Sequence, residues 1–155
     1  MEKGNYARFG WMILCSTLVM YVLMYLNTYE LAHVQFSQTR AWMALVMGAS
    51  MAIVMLAFML GMYGNKRRNV AIFAGALAVF VVSLWLARSQ STVDDVSYMR
   101  AMIPHHSIAI MTSERARLSD PRVRKLADNI AAAQRKEIAE MEALIADIER
   151  NGPQP

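Results

Sequence analysis

Residues 41–63, AWMALVMGASMAIVMLAFMLGMY, contain no charged side chain. A helix of about 20 apolar residues is long enough to cross the roughly 30 Å hydrocarbon core of a bilayer. A soluble helix of that length would need a polar stripe on its outer face. This segment is therefore expected to span a membrane. Phe9–Leu26 and Val70–Ala87 pass the same test, since each is eighteen residues long and uncharged. A signal peptide would have a shorter apolar core and a small-residue cleavage site, so the first run reads as a retained span. Hydrophobic residues make up 56% of the 155-residue chain and charged residues only 18%, which is too apolar for an ordinary soluble domain.

The charges orient these spans. Residues 1–87 carry Lys3, Arg8, Arg40, Lys66, Arg67 and Arg68 against Glu2 and Glu30, whereas residues 88–155 balance ten basic with ten acidic side chains. The net +4 thus belongs to the apolar half and acts as a topology signal. It predicts a membrane protein with a cytoplasmic N-terminus, a cytoplasmic Lys66–Arg68 turn and a segment after Arg88 that faces outward. The lipid bilayer is one expected partner. Nucleic acid is not, because no basic helix face interleaved with aromatics occurs. Cys15 is the single cysteine, so no internal disulfide or CxxC motif exists, and it reads as a small buried thiol. Two domains are expected: residues 1–88 in the membrane, with spans at about 9–26, 41–63 and 70–87, and residues 89–155 outside it.

Within the second span, methionine recurs at 43, 47, 51, 55 and 59. Gap-filling between packed helices explains this more simply than passage of Cu(I). Gly48/Ala52 and Ala57/Gly61 are small-residue pairs that allow close helix approach. Glu30-Leu31-Ala32-His33 has the Glu-x-x-His spelling of di-iron bundles. Such sites need the motif twice with two further glutamates, which leaves chance as the favoured explanation.

The outer segment reads as two helices, about 93–118 and 121–150. Thr92 is the expected cap of the first, with Asp94 and Asp95 in its opening turn. Asp120-Pro121 starts the second, and Asn151-Gly152-Pro153 stops it. Pro104 is expected to kink the first helix or to start a fresh one. In the string Met99-Arg100-Ala101-Met102-Ile103-Pro104-His105-His106, helical spacing gathers Met99, Met102 and His106 on one face with His105 beside it. Thioether plus imidazole suits copper or silver. The plain alternative is a core stripe with a hydrogen-bonded histidine at its edge. Folding the hairpin at Ser119 puts Met141 near Tyr98 and Met99, Glu137 near Met102, and Gln134 near His105 and His106.

The string Met102-Ile103-Pro104-His105-His106-Ser107-Ile108-Ala109, followed by Gln134-x-x-Glu137-Ile138-x-x-Met141, resembles the bacterial domain-of-unknown-function 305 family over about residues 94–150. Members are typically exported, ferritin-like and rich in His and Met, with links to copper. The resemblance implies copper handling and suggests His105, His106, Met102 and Met141 as ligands. The family's methionine seven residues after the first His is replaced by Thr112, with Met111 displaced by one. The family often carries two His-His hairpins where this chain has one.

The expectation is an all-α protein whose three transmembrane helices display a periplasmic hairpin. Two copies would pair their hairpins into a four-helix, ferritin-like bundle as a homodimer or higher even oligomer. Its function would be to bind copper, with Cu(I) favoured, for tolerance or delivery. His105, His106, Met102 and Met141 would be the ligands, Met99 would stand in reserve, and Gln134 or Glu137 would orient the imidazole. No nucleophile–base pair is evident, so a binding protein is expected rather than an enzyme. A metal-independent interaction module is the alternative, and a di-iron oxidase a more distant one.

Overall fold

The computed structural model describes residues 5–154, so the topology signal of Lys3 lies outside the described residues. It is all-helical, and the described residues contain no strand: α1 is Tyr6–Leu23, α2 Gln38–Phe58, α3 Lys66–Ser89, α4 Asp95–Arg115 and α5 Pro121–Asn151, with one 3-10 turn at Leu31–His33. The chain divides into two compact units. One contains the residues up to Met24 with Thr39–Thr92; the other contains Tyr25–Gln38 with Val93–Pro155.

In the first unit, α1, α2 and α3 are each long and apolar enough to cross a membrane. The helices start earlier than the apolar runs because polar caps set their ends. The Asn5 side chain accepts from Ala7 N at 2.9 Å, and the Asn65 side chain accepts from Arg68 N at 3.1 Å. Lys66, Arg67 and Arg68 consequently lie in the first turn of α3, not in a turn between helices. Positive charge there opposes the helix dipole, so these residues are not placed for the helix's own stability. A polar knot joins α1 to the α2–α3 connection. The Tyr6 hydroxyl donates to Asn69 Oδ1 at 2.8 Å, and buried Asn69 donates through Nδ2 to the Tyr63 carbonyl at 2.7 Å.

Ala44, Gly48, Ala49, Ala52 and Leu56 form the buried face of α2. Met55 and Met59 flank it, packed against Phe9, Leu56 and Tyr63. Of the two small-residue pairs, only Gly48/Ala52 is used within the chain. A Cβ added at Gly48 would fall 2.3 Å from Thr17 Oγ1, whereas one added at Gly61 meets nothing within 4 Å. Gly48→Ala should therefore cost about 1–3 kcal/mol through overpacking against Thr17, whereas Gly61→Ala, in the turn after α2, meets no such contact. Thermal unfolding of the two variants in one detergent measures the difference. Cys15 corrects an expectation: it is exposed on α1, because the buried side of that helix runs through Phe9.

In the second unit, α4 and α5 form the expected hairpin. Asp94, rather than Thr92, caps α4 by accepting from Ser97 N at 2.7 Å. The helix runs through Pro104 without interruption. Asp120 caps α5 with Pro121 at its start, and Gly152 ends it at a φ of 79°. Met99, Ile103 and Ile110 of α4 interlock with Ile138 and Ile145 of α5. Each fully buried aliphatic side chain contributes about 1.5–3 kcal/mol.

The 25–38 connection belongs to this unit as well. The Ser107 hydroxyl, completely buried in α4, accepts from Tyr29 N at 3.1 Å and lies 3.0 Å from His33 Nδ1. Arg115 stacks 5.3 Å from the Tyr29 ring. The hairpin thus has a third packing partner from a distant part of the chain.

Candidate metal centre

α4 and α5 frame a cleft of about 470 Å³. Met99 and His106 come from α4, seven residues apart and so two turns along one face. Glu137 and Met141 come from α5, four residues apart. Tyr98 and Leu144 complete the apolar wall, while Asp95 and Glu140 make its rim acidic.

His106 is mostly buried and its Nδ1 has no hydrogen-bond partner among the described residues. Glu137 Oε2 lies 3.1 Å away but outside hydrogen-bonding geometry, and it accepts from Gln134 Nε2 at 3.2 Å. A buried ring nitrogen without a hydrogen bond is costly in a native core unless something else uses it. The spacing of these two atoms is one that two ligands of a single small ion can share. A carboxylate and an imidazole therefore face each other in a cleft that two methionines also line, while Gln134 stands behind Glu137 as its donor.

The remaining candidates lie elsewhere. His105 is exposed and its ring centre is 6.2 Å from that of His106. One residue is 100° of helix, which carries adjacent histidines to different faces. Met102 is half-buried but does not line the cleft. Spacing had put Met102 on the face of Met99 and His106, but Ile103 takes the central, fully buried place there. Glu137, rather than Gln134, meets His106, so the two helices are offset by nearly one turn from the register expected of a turn at Ser119. Among the described residues, no three His, Cys, Asp or Glu side chains cluster to hold an ion. An ion in this cleft would need the thioethers.

Sequence reasoning did not pair His33 with Ser107. Glu30 Oε2 lies 3.9 Å from His33 Nε2, which completes a Ser–His–carboxylate row in name. Ser107 is fully buried and already accepts the Tyr29 N–H, so a substrate has no approach to its oxygen. The row fastens the 25–38 segment to α4. The legible trace of it was a serine on the face that Ile103, Pro104 and Ile110 otherwise make apolar.

Burial holds the His106 pKa below the ordinary imidazole value. The Glu137 carboxylate opposes this, and His105 adds to the lowering. A depressed folded-state pKa means that the unfolded chain takes up the proton first. Stability is then present above about pH 6.5 and declines as the pH falls toward the lower folded value. The thermal midpoint of the metal-free protein should drop between about pH 7 and pH 5. His106→Gln should flatten that slope, and an equal slope in the variant would assign it to other groups.

Residues 95–154 match a family model described as a domain of unknown function, DUF305. An uncharacterised protein of Acanthamoeba polyphaga mimivirus is 29% identical over 141 residues, covering 86% of this chain and 91% of the viral protein. That alignment is much longer than the DUF305 segment and so takes in part of the apolar half. No solved structure matches.

Proposed function

We propose, from the premise that residues 95–154 belong to the DUF305 family, that this protein binds copper in the α4–α5 cleft at the outer surface of a membrane. The observation that carries this reading is the buried, unpartnered Nδ1 of His106 facing Glu137 and flanked by Met99 and Met141. This donor set fits the metal: thioether and neutral imidazole are soft or borderline ligands that favour Cu(I), and one carboxylate accommodates Cu(II) as well. Burial keeps the imidazole neutral and its lone pair available. His106, Met99, Met141 and Glu137 would hold the ion, and Gln134 would orient the carboxylate. The chain's own contribution is binding and shielding, which suits tolerance or delivery.

Membrane anchoring by α1, α2 and α3 would confine the cleft to the bilayer surface. The 25–38 connection and the hairpin share one compact unit. In a three-span chain both segments emerge on the same side, so the folded unit and the apolar helices are mutually consistent. A cytoplasmic Lys66–Arg68 then makes that side the periplasmic one.

The test is titration of the full chain in mild detergent with Cu(I) against a competing chelator. The expected result is one tight site per chain, with preference over Zn(II). Absence of uptake would leave the cleft as a metal-independent surface.

A further inference from the structure

The outer surface of α5 is arranged for a second helix. Val123, Leu126, Ile130 and Leu144 remain exposed although they fall on one stripe with Met141. Ile138 and Ile145, which pack on α4, lie about 80° further round the helix. α5 therefore has two apolar faces, and the hairpin covers one.

Its charges are segregated end to end. Five of the six charged side chains in residues 121–136 are basic, Asp128 being the exception, and five of the six in residues 137–151 are acidic, with Arg150 the exception. This order runs against the helix dipole, which favours acidic side chains at the start and basic ones at the end. Among the described residues, the hairpin's cross-helix pairs are Arg135 with Glu114, Glu149 with Arg100, and the close approach of His106 to Glu137. Lys125, Lys136, Glu140 and Glu142 form no ion pair among the described residues. Arg122 and Lys136 border the exposed stripe in its first half, and Glu140 and Asp147 border it in its second.

We infer that the exposed face of α5 is an interface for a second copy of this chain, packed antiparallel across a two-fold axis near the middle of the helix. In that orientation each basic half lies along the partner's acidic half, at both ends at once, as an isologous contact requires. A parallel pair would set like charges together. The partner's Val123–Ile130 stretch would then cover the Tyr98–Leu144 side of the cleft and close it over His106. The inference rests on the stripe and the charges and does not require that the cleft hold copper.

The test uses the full chain in mild detergent without metal. Wild type is expected to be dimeric by mass measurement. Arg122→Glu/Lys125→Glu/Lys136→Glu and Glu140→Lys/Glu142→Lys/Asp147→Lys should each be monomeric, and an equimolar mixture of the two should restore the dimer. Both sets of changes agree better with the helix dipole than the native charges do, and circular dichroism should show undiminished helix. In a Cys15→Ser background, Leu126→Cys and Leu144→Cys chains should cross-link to each other and not to themselves. A monomeric wild type would overturn the inference. So would charge-reversed variants that stay dimeric, or variants that lose helix together with assembly and are not rescued by mixing. Self-cross-linking at position 126 or 144 would overturn the antiparallel arrangement.

Discussion

His106→Ala should abolish tight Cu(I) binding, while His105→Ala should leave it nearly unchanged. The two side chains are chemically identical and adjacent, so the contrast tests placement alone. His106 presents a buried, unpartnered Nδ1 to the cleft, whereas His105 is exposed with its ring centre 6.2 Å away. The same contrast holds among the methionines. Met99→Leu and Met141→Leu should each weaken Cu(I) by on the order of tenfold or more, because a soft donor is lost. Met102→Leu should do little, since Met102 does not line the cleft. Leu preserves volume, so stability should change by less than about 1.5 kcal/mol in each case. Glu137→Gln should cost about 10–100-fold, whether the carboxylate binds the ion or orients the imidazole. Equilibrium competition with a Cu(I) chelator, alongside thermal unfolding, separates lost ligands from lost folding. If His105→Ala and Met102→Leu proved the damaging changes, the metal would sit on the other flank of α4.

The periodicities that create this contrast were only partly legible. Helical spacing placed Met99 and His106 on a common face, and the polar interruption of α5 at Gln134 and Glu137 marked the level where the second helix would answer. Spacing chose Met102 for the shared face, yet Met102 and Ile103 both lie within about 60° of Met99, and packing against α5 turns Ile103 inward instead. The choice between Gln134 and Glu137 hung on less than one turn of register. That offset is set by where α4 ends, and α4 stops at Arg115, three residues short of the apolar pattern's suggestion. The three long helices were the most legible feature, since a charge-free run of eighteen or more residues leaves few alternatives. The clasp between Ser107 and the Tyr29–His33 segment was invisible because it joins residues more than seventy positions apart. No local pattern encodes such a meeting.

That clasp bears on the second large expected effect, which concerns sidedness. A reporter enzyme active only outside the cytoplasm should be fully active when appended after Pro155 and silent when inserted at Asn65. The expectation has two independent sources. Lys66, Arg67 and Arg68 open α3, where they oppose the helix dipole, and this placement follows the positive-inside rule instead. Separately, the 25–38 segment and the hairpin fold as one unit, which an odd number of spans between them would forbid. Two helices, α2 and α3, lie between those segments, so both segments would emerge on the same side of a membrane that α2 and α3 cross. Inserting the reporter in the 25–38 segment should therefore match the result at the C-terminus. It should also destabilise the hairpin, because Ser107 then loses its Tyr29 donor and its His33 neighbour. Leaving such buried polar atoms unpaired costs about 1–3 kcal/mol. Opposite reporter signals at the two positions would mean that one apolar helix does not cross. Inactivity at both, with activity at Asn65, would turn the whole protein over and make the cytoplasm the source of its metal.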